Sequence, residues 1–245
     1  MMAIRSILFN ATMARAVLAG EKTQMRRVIR PQPKPPSDGS YRIEECSWPQ
    51  GFGFPSGPNN SGSIKWYRSP FGQIGDHLLA KESCWILGHW VENGMEKGYR
   101  KFDFYEFLVH GSPSVCFEKP NKIHQKGTMG IGWVHRSSIQ MPQWASRITL
   151  EITGIRIEQV QNISEVDALR EGVFLPGPSK NSPIGQGVLT ATSNFENEIF
   201  YMSDHYAREE YERLFNSTYR AKGLGWDVNP WVWIVEFKVV SRDNV

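Results

Sequence analysis

Hydrophobic and polar residues change period several times along the chain, and each change marks an element. Ile4 to Asn10 is a short apolar run with a polar end, a strand by its pattern. Ala11 to Ala19 is rich in helix-favouring residues. Met13, Ala16 and Val17 share one face, and Asn10 or Thr12 can cap the start. Gly20 stops this helix, because glycine adopts the left-handed conformation without a Cβ clash. Leu78 to Trp85 reads as a buried strand after a turn at Phe71 to Asp76. Arg147 to Gln159 alternates cleanly, with Ile148, Leu150 and Ile152 on one face and Thr149, Glu151 and Thr153 on the other. Ser164 then caps a helix, with Asp167 three positions on in the manner of a capping box, and the helix ends at Glu171-Gly172. Glu196 to Lys222 carries the longest helical pattern, its aromatic stripe explained best by core packing. Gly223 and Gly225 end it, and Trp231 to Val240 is a final apolar strand.

Three stretches lack such a period. Arg30 to Ser69 is dense in Pro, Gly and Ser, including Gly51-Phe52-Gly53-Phe54-Pro55. It predicts a long loop or excursion with short strands at Tyr41 to Glu45 and Ser63 to Tyr67. Residues 86–137 form a second excursion holding His89, His110, His124 and His135 at irregular intervals, which is no ligand set. Pro176 to Ser193 is a third loop.

Composition narrows the class. A chain of 245 residues, 40% hydrophobic and 22% charged, has the length for one large domain with a sizeable core. No apolar run nears the ~20 residues of a membrane span, and the N-terminus is too weakly apolar for a signal peptide. Cys46, Cys84 and Cys116 are few and scattered, as expected of reduced thiols in a cytoplasm, with no paired spacing for a metal. The expectation is therefore a cytoplasmic protein without metal or cofactor. A net charge of +3 permits nucleic-acid binding without requiring it. Nine Trp, thirteen Phe and eight Tyr matter more where they adjoin cations, as at Lys65 to Arg68, Trp133 to Arg136 and Trp144 to Arg147. Such surfaces suit unpaired bases on a phosphate backbone, although most of the Trp residues belong to core.

The chemistry concentrates just past the first helix. Lys22, Arg26 and Arg27 fall within six positions after Gly20, a compact anion site if the turn presents them outward. The plainer reading is a helix C-terminus whose cations complement the dipole and are solvated. Glu82 stands in an otherwise apolar segment and is either paired or at a cleft. Arg136, Ser138 and Arg147 flank the small polar connector around Pro142 and could face the same groove as Lys22. Glu171 is an acid at a helix C-terminus, against the dipole preference, which invites a site explanation.

Gly20-Glu21-Lys22-Thr23 and Arg26, directly after a short helix, resemble the signature of the ASCH domain family within the PUA-like β-barrels. The Gly75-Asp76 turn into His77 to Glu82, the passage from Arg147 to Gly172, and the close on Trp231 to Lys238 follow in the order of the long phage and prophage members. The resemblance implies an α+β fold, a small β-barrel flanked by helices, as a single domain over residues 1–245. Its core blocks would be 4–29, 75–86, 145–173 and 230–240, with insertions at 30–74, 87–144 and 174–229 and an added helix in the C-terminal half.

The same resemblance implies RNA or nucleotide-like ligands beside the Lys22 turn, single-stranded or modified bases above all. Ligand-binding residues would be Lys22, Arg26, Arg27, Glu82, Arg136, Ser138 and Arg147. The family also includes amidohydrolases acting on N4-acetylated cytidine, and ribonuclease activity has been assigned to some members. Carried over residue by residue, the catalytic Lys falls on Lys22 and the Glu on Glu171, but the family's nucleophilic Thr falls on Met25. A thioether cannot serve as an activated hydroxyl, which leaves Thr23 as the hydroxyl near in sequence. Binding is thus the first expectation, and a hydrolase at the same cleft is the second. A third is a phage accessory protein meeting a host protein through its insertions.

Overall fold

The computed structural model describes residues 3–33, 44–47, 50–55, 64–96, 99–106, 108–109, 112–121, 123, 129–173 and 206–242. Fourteen strands run through these residues. They are β1 (Ile4–Leu8), β2 (Gln24–Val28), β3 (Glu44–Ser47), β4 (Gln50–Pro55), β5 (Ile64–Arg68), β6 (His77–Lys81) and β7 (Cys84–Glu96). There follow β8 (Tyr99–Glu106), β9 (Leu108–Val109), β10 (Ser112–Pro113), β11 (Val115–Cys116), β12 (Gly130–Arg136), β13 (Ile148–Gln159) and β14 (Trp231–Arg242). Three α-helices accompany them, α1 (Ala11–Ala19), α2 (Glu165–Arg170) and α3 (Tyr206–Tyr219). The fold is α+β and mostly sheet.

The central sheet has the order β1-β6-β13-β14-β2, with β1 parallel to β6 and the other pairs antiparallel. It lies between two cores, which is why β14 opens on the unbroken apolar run Trp231 to Val235. Trp231, Trp233, Val235 and Phe237 point into one core, while Val232 and Ile234 point into the other. The first core is closed by α1 through Ala14 and Val17, and by Phe52, Phe54 and Tyr67. The second holds Ala168 of α2 and Tyr211 and Phe215 of α3 around Trp226. Tyr211 and Phe215 of the α3 stripe are core, with Tyr219 packed against them, as the spacing predicts. Residues 196–205 and the predicted loop at Pro176 to Ser193 lie outside the described residues.

α1 is capped as expected: Asn10 accepts from the Met13 N–H at 2.7 Å, and Gly20 closes it at φ 81°. Among the described residues no strand pairing joins β1 to β2, so the five strands form an open sheet rather than a closed barrel. The Arg27 guanidinium spans the two edges instead, donating from β2 to the Leu8 carbonyl of β1 at 3.1 Å.

Other expectations need correction. The Lys22 to Arg27 cluster is not an outward turn, because Gln24 to Val28 pairs with β14 as a strand. Gly51 to Pro55 is not loop punctuation but part of β4, whose period of two sends Phe52 and Phe54 against Trp233 and Trp231. Glycine is needed at position 53, where a Cβ would stand 2.5 Å from Ile64. The strand through Leu78 to Trp85 breaks at Glu82-Ser83, and its halves join different sheets. β7 leads the second sheet, with β8, β11 and β12. β13 keeps its alternation only by a bulge between Ile152 and Gly154, after which Ile155 and Ile157 take over the buried face.

A buried charge centre between β2, β13 and α2

β2 sorts its side chains by parity. Met25 and Ile29 enter the first core, while Val28 faces the second with Lys22, Gln24 and Arg26 behind it on the same side. The start of β2 is pinned from three directions. The Glu21 and Lys22 N–H groups both donate to the Ala16 carbonyl, Thr23 N–H to Arg170 O, and Phe237 N–H to Thr23 O. Lys22 also pairs backbone to backbone with Glu171 as an isolated antiparallel bridge. The Lys22 side chain is thereby delivered to the C-terminus of α2.

There Lys22 Nζ donates to Glu171 Oε2 at 2.9 Å and to the Glu171 carbonyl at 2.6 Å. Arg26 donates to Glu171 Oε1 at 3.2 Å and to Asp167 Oδ2 at 2.9 Å. Asp167 and Glu171 are four apart on α2 and so share a face. Although the Asp167 N–H is held by the Ser164 cap, its carboxylate serves Arg26 and Arg156. Arg156 continues outward to Glu158 on its own strand and to Glu236 on neighbouring β14. A single network thus runs from Lys22, 3% exposed, to a rim where Arg156 and Glu236 are about a third exposed. Gly154 leaves room for the Glu236 carboxylate at this rim, since a Cβ there would lie 2.7 Å from Glu236 Oε2 as it now stands.

Burial dominates the electrostatics. Removal from water pulls the Lys22 amine below its ordinary 10.5, and the adjacent Glu171 carboxylate offsets this only in part. Tyr211, whose ring faces the Arg26 guanidinium at 5.9 Å, has its phenol pushed well above 10 by burial and then by Glu171. Among the described residues, two buried polar atoms of this centre have no hydrogen-bond partner, Gln24 Oε1 and Arg26 Nε. Gln24 spends its amide N–H on the Asp167 carbonyl at 2.7 Å, so a free acceptor and a free donor lie two residues apart on one face of β2.

The residues expected at one site divide into two groups. Lys22, Arg26 and Glu171 come together. Thr23 is exposed on the other face of the strand, Met25 is fully buried in the first core, and Arg27 is committed to Leu8 and to the Arg26 carbonyl. Arg147 forms a bidentate pair with Glu82, at 2.9 and 3.1 Å, and lies 3.9 Å over Phe117. Arg136 lies 4.8 Å over Phe104, and Ser138 is half-buried in the following turn. Arg147 precedes β13 whereas Arg156 is near its far end, about 30 Å away at the rise of an extended strand. They do not face the Lys22 centre. Cys84 lies beside this second group, its thiol raised to about 11 by burial and by Glu82.

Gln24, Asp167, Arg156, Glu158, Glu236 and Tyr211 escaped the sequence reading as members of the centre. The period-two set Lys22, Gln24, Arg26 and the i, i+4 pair Asp167 and Glu171 were the available signals. Among the described residues, no three His, Cys, Asp or Glu side chains gather to hold a metal, and no helix is long and apolar enough to cross a membrane. Compared with known proteins, the chain matches no family model, no curated protein and no solved structure.

Proposed function

We propose that the centre formed by Lys22, Gln24, Arg26 and Glu171 is an ASCH-type ligand site that binds a nucleotide-like ligand or a base of single-stranded RNA. The observation that carries this reading is the meeting of Lys22 with Glu171. These are the two positions onto which the family resemblance maps its working Lys and Glu, and they lie 149 residues apart in sequence. The unpartnered Gln24 Oε1 and Arg26 Nε add a hydrogen-bond acceptor and a donor, the complement of an amide-like base edge. The ligand approaches from the Arg156 rim, where the network meets solvent. A PUA-like ancestry fits the order of α1, the Lys22 segment and the mixed sheet, with the barrel opened between β1 and β2.

A hydrolase is the second reading, favoured by the Lys22 amine, which burial biases toward its neutral, basic form beside a carboxylate. Its weakness is the nucleophile. Thr23 points away and Met25 is in the opposite core, so an attacking group would have to be water activated by Lys22.

Both readings are tested by incubating the protein with single-stranded RNA and with N4-acetylcytidine, following products by mass and affinity by fluorescence titration. Binding without turnover, weakened in Gln24→Glu and Arg26→Lys variants that keep the wild-type circular dichroism, supports the first. A product that disappears in Lys22→Met supports the second. Neither binding nor product in the wild-type protein removes both.

A further inference from the structure

An open pocket of about 410 Å³ lies just past the ends of β2 and α3, lined by residues 29–32 and 222–224. Arg30 and Lys222 both line it, from distant parts of the chain, and no carboxylate does. Both residues are exposed, and neither forms an ion pair among the described residues. Lys222 lies over the Tyr219 ring at 5.4 Å. Gln32 fixes the β2 side of the pocket. Its amide nitrogen donates to the Ile29 and Trp231 carbonyls at 2.6 and 3.0 Å, and its oxygen accepts from the Trp231 N–H at 2.8 Å. Gly223 fixes the other side, closing the 3-10 turn Arg220–Lys222 at φ 69°. None of the residues of the Lys22 centre lines the pocket.

We infer that this pocket binds the phosphate group of a nucleotide, at a site separate from the Lys22 centre. Two like charges that share one concavity with no acid in it repel each other, and an anion between them relieves both. A phosphate monoester carries up to two negative charges at neutral pH, one for each cation. The helix dipole accounts for Lys222, which with Arg220 ends the α3 segment, but not for Arg30, which follows β2. Arginine offers a planar fork of donors and lysine a movable point charge, so together they reach phosphate oxygens on two sides. The volume is that of a small-molecule site, and Pro31 and Leu224 supply apolar surface for a sugar or base. At the Lys22 centre, by contrast, Glu171, Asp167 and Glu158 already neutralise the cations.

Titration calorimetry of the full chain with uridine 5′-monophosphate, and separately with an oligouridylate, tests the inference. At least one of the two probes should bind the wild-type protein. Arg30→Ala and Lys222→Ala remove exposed side chains and should keep the wild-type circular dichroism, while each weakens binding about tenfold. Arg15→Ala, which removes an equal charge from an exposed position on α1, should leave the affinity unchanged. The two probes identify the source of the phosphate. Binding of the monophosphate marks a free nucleotide. Binding of the oligonucleotide alone, with a salt slope that falls by about 0.7 per lost cation, marks a strand. The inference is overturned if neither probe binds, or if either pocket substitution leaves the affinity as it was. Monophosphate binding that ignores both and falls instead in Gln24→Glu overturns it too, and returns the nucleotide to the Lys22 centre.

Discussion

Lys22 and Glu171 are joined twice, by a backbone bridge and by a lysine that donates to both the carboxylate and the main-chain carbonyl of the same residue. The carboxylate is not exclusive to Lys22, since Arg26 takes its other oxygen. Two buried cations therefore depend on one anion at this end of the network, and the consequences of removing each member differ.

Glu171→Gln leaves the buried Lys22 without its carboxylate, while Arg26 keeps Asp167 and, at 3.6 Å, Glu158. Stranding a buried charge costs about 3–5 kcal/mol, and we expect a loss of that order. Lys22→Met removes a cation whose partner keeps Arg26, so its cost should be clearly smaller. Urea denaturation of both variants gives the order. A Lys22→Met loss equal to that of Glu171→Gln would mean that Arg26 does not compensate.

Gly20 and Gly172 are both in the left-handed region, at φ 81° and 73°, but they differ in their surroundings. A Cβ on Gly20 meets nothing within 4 Å, whereas one on Gly172 lies 3.0 Å from the Lys22 Cβ and 3.2 Å from the Ala16 Cβ. Gly20→Ala should cost about 1 kcal/mol for conformation alone. Gly172→Ala should cost more and should also disturb Lys22, so ligand affinity falls only in that variant. Equal melting temperatures for the two would contradict this.

These contrasts also mark what the sequence made legible. The caps of α1 and α2 and the strands β13 and β14 could be read because each rests on local chemistry, a side-chain cap, a period or a terminal glycine, whereas Lys22 and Glu171 were named together only through the family resemblance. Burial of Lys22 and Arg26 could not, because a strand with cations on one face and Met25 on the other looks like a basic turn until the α2 carboxylates are placed over it. The Phe52 and Phe54 pair was hidden by the glycines at 51 and 53, and the one at 53 lets Ile64 and Trp66 cross close by. Grouping Arg147 with Lys22 failed for a topological reason, since the length of β13 separates them.

Arg147 and Glu82 form the second buried pair, and here the carboxylate is the deeper partner, 2% exposed against 26% for the guanidinium. Arg147→Ala exposes Glu82 to burial without its cation and should cost about 3 kcal/mol. Glu82→Gln alone should cost less, because Arg147 still reaches solvent and the Phe117 ring. A double-mutant cycle should return a coupling of about 1–3 kcal/mol. A coupling near zero would show that Phe117, not Glu82, fixes the arginine.

Alkaline pH should separate two opposing groups in the charge centre. The Lys22 amine has a folded value below its unfolded 10.5, so between the two the unfolded chain binds more protons and stability rises with pH. Its contribution is complete above 10.5 and is lost as pH falls through the folded value. Tyr211 runs the other way. Its folded value lies well above 10, so its contribution is complete below pH 10 and is lost as pH rises toward the folded value. Below pH 10 Lys22 is the titrating member of the centre, while the Cys84 thiol, raised to about 11, opposes it equally in every variant, so denaturation midpoints of the wild-type protein should climb with pH relative to those of Lys22→Met. Above pH 10 the wild-type midpoints should flatten or fall, and Tyr211→Phe should recover part of that loss. A Lys22→Met profile parallel to wild type below pH 10 would mean that Glu171 offsets the burial of the amine in full.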